Sequence, residues 1–201
     1  MAEAIENGTD PSRIAFVSFT KKAAREAQER AIERFDLTAN DLPYFRTLHS
    51  LAYSQSGSTR NEVMSDANYK EFSELVGVTL SRHHTDSLLA VGSDGDKALH
   101  VMSYAHATGM PLYDAWHQTG ESIEWHTLDY IARSYKHYKR DTHKVDFNDM
   151  LDRYVQNCAP ISVDTVIIDE AQDLSATLWN VARHMFSEAQ ETIIAGDDMQ
   201  S

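Results

Sequence analysis

The chain has 201 residues, 42% of them hydrophobic, enough for one full domain or for one domain carrying an insertion. It holds no apolar run of about 18 residues, so no membrane span is expected. Its net charge of −13 argues against a generic nucleic-acid binder, which would show a basic footprint. The single cysteine, Cys158, forbids an internal disulfide and fits a reducing cytoplasm, and the polar start MAEAIENGTD is no signal peptide.

In chain order, RIAFVSF (13–19) is a short apolar run and reads as a buried strand. TKKAAREAQERAIERF (20–35) follows as a helix, because Ala24, Ala27, Ala31 and Phe35 recur at spacings of three and four between charges. Strand followed directly by helix is half of a βαβ unit. LPYFRT (42–47) is a second candidate strand, and LHSLAYSQ starts another helix. Residues 54–144 change character: SQSGSTRNE and VGSDGDK read as loops, while DANYKEFSELVG, KALHVMSYAHATG, PLYDAWHQTG and WHTLDYIARSYKHYKR read as helices. No strand alternation and no internal repeat is found, so this stretch reads as an all-helical insertion. Then DFNDMLDRYVQN (146–157) is helical, VDTVIIDE (163–170) is a strand, SATLWNVARHMF (175–186) a helix and ETIIAGD (191–197) a strand. The expected fold class is α/β, a parallel doubly wound sheet. Such sheets bind ligands at the carboxyl ends of their strands, where Thr20, Thr47, Asp169, Glu170 and Asp197 fall.

Charge is uneven along the chain. Residues 133–144, RSYKHYKRDTHK, carry 5 basic and 1 acidic side chains, whereas residues 145–201 carry 2 and 11. The basic island reads as a solvated helix face. Tyr135 and Tyr138 interleave with its cations, so base stacking and phosphate contacts are open there as well. The ten histidines suggest metal, but RHHTD lacks a convincing second ligand pair and zinc is not expected. Trp116, Trp125 and Trp179 lie in helical patterns and read as core.

The chemistry concentrates in VIIDEAQDLS (166–175). Three β-branched apolar residues run straight into Asp169 and Glu170, which would repel each other and lose hydration at the end of a buried strand. A hydrated divalent cation would compensate. This is the Walker B arrangement, in which the Asp holds Mg²⁺ and the adjacent Glu orients or deprotonates the attacking water. The plainer reading, that Asp173 or Ser175 caps the next helix, explains one acid and not the pair.

DEAQD followed by AGDDMQS resembles motifs two and three of superfamily-one DNA helicases of the UvrD/Rep/PcrA type. FVSFTKKAAREAQERA resembles motif Ia of that family, FRTLHSLAY its motif Ib, and VDFNDML the segment preceding motif two. These matches fall in the family's order and cover roughly residues 14–53 and 145–201. The resemblance implies a RecA-like sheet of the P-loop NTPase type, interrupted by an inserted all-helical subdomain. It divides the chain into residues 1–53 and 141–201 as the motor part and 54–140 as the insertion. It implies Mg²⁺ at Asp169, with Glu170 beside it as catalytic base. Gln200 would sense the γ-phosphate of ATP, and Gln172 and Asp173 would support the nucleotide site. Phe19, Thr20, Thr47 and His49 would contact single-stranded DNA. For Thr20 the plain alternative is a helix N-cap, and both readings can hold; for His49 it is hydrogen bonding at a helix start.

The sequence departs from the family in two large respects. The 201 residues contain no G-x-x-x-x-G-K-[ST] phosphate loop, and the family's second RecA-like domain, with its arginine fingers, has no counterpart among them. The chain therefore reads as most of the first motor domain of an ATP-dependent DNA helicase, inactive alone, with 3′-to-5′ polarity implied only by the resemblance. The second reading is a catalytically silent module that binds DNA or a protein.

Overall fold

The computed structural model describes residues 2–6, 8–80 and 92–196. The chain folds as two compact units: Met1–Gly57 with Met150–Ser201, and Ser58–Asp149.

The first unit is α/β. It comprises α1 (Ala2–Glu6), β1 (Ile14–Val17), α2 (Lys21–Phe35), β2 (Phe45–Arg46) and α3 (Leu48–Gln55). After the helical unit come β3 (Thr165–Ile168), α9 (Ala176–Met185) and β4 (Glu191–Ile194). The four strands form one sheet in the order β2-β1-β3-β4, and every pairing is parallel. This is the architecture expected of a RecA-like helicase domain.

Alternation along the strands serves two faces. Ala15, Val17, Val166 and Ile168 cluster with Leu48, Leu51, Tyr154, Val181 and Met185, while Ile14, Phe16 and Ile167 cluster with Ala31, Leu42 and Phe45. Helices therefore cover both faces, and the strands read as continuous apolar runs for that reason. The register is also held at its start. Arg13 donates from Nε and Nη2 to the Asp164 carboxylate at 2.6 Å each, and these bonds hold that carboxyl below its usual range.

The strands are shorter than the sequence suggested. The sheet releases β1 at Val17, because Thr20 turns to cap α2, and β3 at Ile168, where the chain turns at Glu170. Residues 42–47 contribute only Phe45 and Arg46, since a short 3₁₀ turn at Ala39–Asp41 occupies the approach. β4 ends at Ile194, so Ala195 and Gly196 lie beyond the strand, and Asp197, read as its end, lies outside the described residues.

The second unit holds α4 (Asp66–Val76), α5 (Asp94–Thr108), α6 (Leu112–Thr119), α7 (Trp125–Asp141) and the start of α8 (Phe147–Asn157). Its core gathers Phe72, Val101, Leu128, Ile131, Tyr135 and Tyr138. The VGSDGDK stretch is not all loop. Ser93 and Asp96 form a capping box, so the helix begins at Asp94. Gly95 packs against the Thr79 carbonyl so closely that a Cβ there would overlap it.

Residues 141–149 fold with the helical unit rather than with the sheet. Val145 bridges Val63, and Lys139 donates to Asp146 and Asp149, 2.6 Å from each. Those two acids also exchange backbone bonds at 2.9 Å, the reciprocal capping of α8. Of the segment VDFNDML, the two carboxylates are thus engaged in fastening a helix start.

The basic island does not offer its tyrosines for stacking. Tyr135 and Tyr138 are 3% and 5% exposed and pack on Phe72 at ring separations of 5.2 and 5.6 Å. Burial, and then the nearby Asp146 charge, raises the Tyr135 hydroxyl above the usual tyrosine range. Arg133 and Arg140 pair with Asp129 and Asp141, so much of the island is neutralised by neighbouring acids.

Candidate functional site

The chain connects β1 to β2 through α2, then returns past β1 to build β3 and β4 on the other side. The strand order reverses between β1 and β3, and at such a point ligands bind outside the carboxyl ends. Phe19 and Thr20 follow β1, Thr47 follows β2, and Asp169 and Glu170 follow β3. All three strands run parallel, so these segments emerge on one edge of the sheet.

Thr20 caps α2: its Oγ1 accepts from the Ala23 amide at 3.1 Å, while the residue itself is exposed. Phe19 beside it is 51% exposed, an uncovered aromatic ring at the end of a buried strand. Thr47 caps α3 by accepting from the Ser50 amide at 3.2 Å and is only 7% exposed. Its hydroxyl is therefore committed to the helix, and what the β2 end presents outward is the first turn of α3, including the half-buried His49.

The Asp169 amide donates to the Val17 carbonyl at 2.9 Å, extending the β1–β3 ladder one step beyond the strands. Glu170 is exposed and adopts the left-handed region, at φ 51° and ψ 45°. A non-glycine residue there costs on the order of 1–3 kcal/mol and points to a constraint beyond packing. The neighbourhood holds it in place. Gln172 Nε2 donates to Glu170 Oε2 at 2.6 Å, the Asp173 amide donates to the Glu170 carbonyl at 3.0 Å, and the Ala171 amide donates to Ala195 at 2.9 Å. A Cβ on Gly196 would lie 2.7 Å from Gln172 Oε1 and 3.5 Å from the Gln172 amide nitrogen, so the backbone after β4 passes close to this turn. Ser175, not Asp173, caps α9, accepting from the Leu178 amide at 3.3 Å. Gln200 and Asp197, the remaining sequence candidates, lie outside the described residues.

One polar group here was missed in the sequence. Ser18 is 3% exposed, and its Oγ is the one buried side-chain polar atom without a hydrogen-bond partner among the described residues. The β1–β3 register, not the sequence, places it level with Asp169, and a lone serine inside an apolar run carries no chemical signature.

No group of three His, Cys, Asp or Glu side chains converges as a metal cage among the described residues. Mg²⁺ does not need one, since it keeps several waters and binds through one or two carboxylates plus substrate phosphates. Asp169, half-buried and opposite the unpartnered Ser18 in the strand register, fits that donor set.

A profile of the UvrD/REP helicase N-terminal domain matches residues 1–201. The chain belongs to the UvrD/REP helicase N-terminal domain family. It is also similar to a Mycoplasma genitalium protein described as "Probable DNA helicase II homolog", with 22% identity over 95% of this chain. The chain spans 29% of that protein's length. Membership in the UvrD/REP family agrees with the parallel sheet. No helix among the described residues of this UvrD/REP domain is long and apolar enough to cross a membrane.

Proposed function

We propose that this chain is the part of an ATP-dependent, 3′-to-5′ DNA helicase that couples ATP hydrolysis to movement on single-stranded DNA in the cytoplasm. The observation that carries the reading is the common edge. Phe19–Thr20, Thr47–His49 and Asp169–Gln172 each follow the carboxyl end of a parallel strand.

Asp169 would hold Mg²⁺, which when bound supplies charge stabilisation for the transferring phosphate. Glu170, turned outward by its left-handed backbone and steadied by Gln172, accepts a proton from the attacking water. Asp173 supports that turn through its amide, and Gln200 reads the γ-phosphate.

On the DNA side, Phe19 offers a face for a base, and the exposed Thr20, Lys21 and Lys22 stand at the start of α2. The free amides of that first turn favour a phosphate. The first turn of α3, capped by Thr47 and bearing His49, offers a second such end. The alternative, a catalytically silent module for DNA or a protein, draws on the lack of a phosphate loop within the 201 residues and on the charge of −13.

The test is fluorescence anisotropy with a labelled oligothymidine at low salt. Binding is expected to be micromolar or weaker and to fall as salt rises. Phe19→Ala should weaken it by about 1–3 kcal/mol, the usual value of one base stack. Phe19 is the better probe than Thr47, whose loss would also uncap α3. Tight binding indifferent to Phe19 would place the DNA on another surface.

A further inference from the structure

We propose that Ser18 is a positioning residue, whose hydroxyl donates to the Asp169 carboxylate once a divalent cation is held there. The inference rests on the reading of Asp169 as the cation ligand.

Val17 stands opposite Ile168 in the parallel register, and the Asp169 amide continues the ladder to the Val17 carbonyl. The next pair across the two strands is therefore Ser18 and Asp169. Ile14, Phe16 and Ile167 share one face of the sheet. Ser18 and Asp169 continue that alternation and fall on the same side, on neighbouring strands about 4.8 Å apart. Rotation of two short side chains closes such a gap.

Ser18 Oγ is buried, with no partner. Native proteins seldom leave a buried polar atom so, and a catalytic role or a bound ion is among the physical reasons when they do. A carboxylate that binds a metal is itself usually hydrogen-bonded, and removing that outer partner costs 10–100-fold in metal affinity. Asp169 is half-buried, and the unpartnered Ser18 hydroxyl belongs to the residue opposite it in the register. The hydroxyl proton stays on Ser18, so the bond orients the carboxylate without changing its charge.

The experiment titrates Mn²⁺ into the 201-residue chain at low ionic strength, following free Mn²⁺ by electron paramagnetic resonance. Thermal melting without divalent ions is measured alongside. Ser18→Ala should lower Mn²⁺ affinity about tenfold or more. Its metal-free Tm should equal or exceed that of the wild type, because no existing bond is lost. Ser18→Thr, which keeps the hydroxyl, should retain the affinity, and Asp169→Asn should abolish it. If Ser18→Ala binds Mn²⁺ as the wild type does while Asp169→Asn does not, the role of Ser18 is overturned and the cation reading stands. If Asp169→Asn also binds normally, or the wild type binds nothing, both fall. A lower metal-free Tm for Ser18→Ala would mark the residue as structural and overturn the proposal.

Discussion

Lys139→Met is expected to destabilise the helical unit by about 3–5 kcal/mol, the usual cost of stranding buried charges by removing their partner. Lys139 Nζ lies 2.6 Å from both the Asp146 and the Asp149 carboxylates, with side-chain exposures of 13%, 13% and 33%. It also stands 4.6 Å over the Tyr135 ring. Methionine keeps the packing and deletes the charge, so urea unfolding reads the electrostatic loss.

The loss should depend on pH, with a definite sign. Burial raises the Asp146 carboxyl, but the Lys139 charge and hydrogen bond outweigh it and leave it below the usual carboxylate range. That stability is present above the unfolded value and fades as pH falls through the folded one. Burial and the Asp146 charge leave Asp149 above the usual range, with Lys139 only partly offsetting them. In the variant both carboxyls are raised. Each then contributes stability below its unfolded value and loses it as pH rises through the folded one. The gap between wild type and variant should therefore be widest near pH 7 and narrow toward pH 4. A gap of constant size would mean that the Lys139 charge does not control the ionisation of the two carboxyls.

The second large effect is catalytic. The 201-residue chain is expected to release phosphate from ATP more slowly than about 1 s⁻¹, the lower end of ordinary enzyme rates, with Mg²⁺ and single-stranded DNA present. The acid pair and its supporting turn are built, but the sequence has no G-x-x-x-x-G-K-[ST] to cradle the β- and γ-phosphates. Faster turnover, abolished by Asp169→Asn, would contradict this and mean that another segment of the chain binds the phosphates.

Much of this edge was legible in the sequence because it is written in local signals. Val166–Ile168 can only be a strand covered on both faces. Thr20 and Ser175 announce helix starts through their hydroxyls, and the apolar run into Asp169 and Glu170 marks the end of β3. What was not legible depends on distant partners. Tyr135 and Tyr138 sit among cations and look like a stacking surface, until Phe72, more than 60 residues away, closes over them. Asp146 and Asp149 read as part of a family segment, yet their oxygens serve Lys139 and the start of α8. The Thr47 hydroxyl also caps α3, accepting from the Ser50 amide, a bond that the sequence around it does not announce. Ser18 was passed over because its significance comes from the neighbouring strand, which only the register reveals.

The central claim is that single-stranded DNA lies across the carboxyl ends of β1 and β2. Photo-cross-linking with a 4-thiothymidine oligonucleotide, followed by peptide mapping, tests it most directly. The account predicts cross-links in the peptides holding Phe19–Lys22 and Thr47–Ser50, lost when unlabelled oligothymidine competes. Competable cross-links confined to the basic stretch 133–144, with none at those two turns, would contradict it.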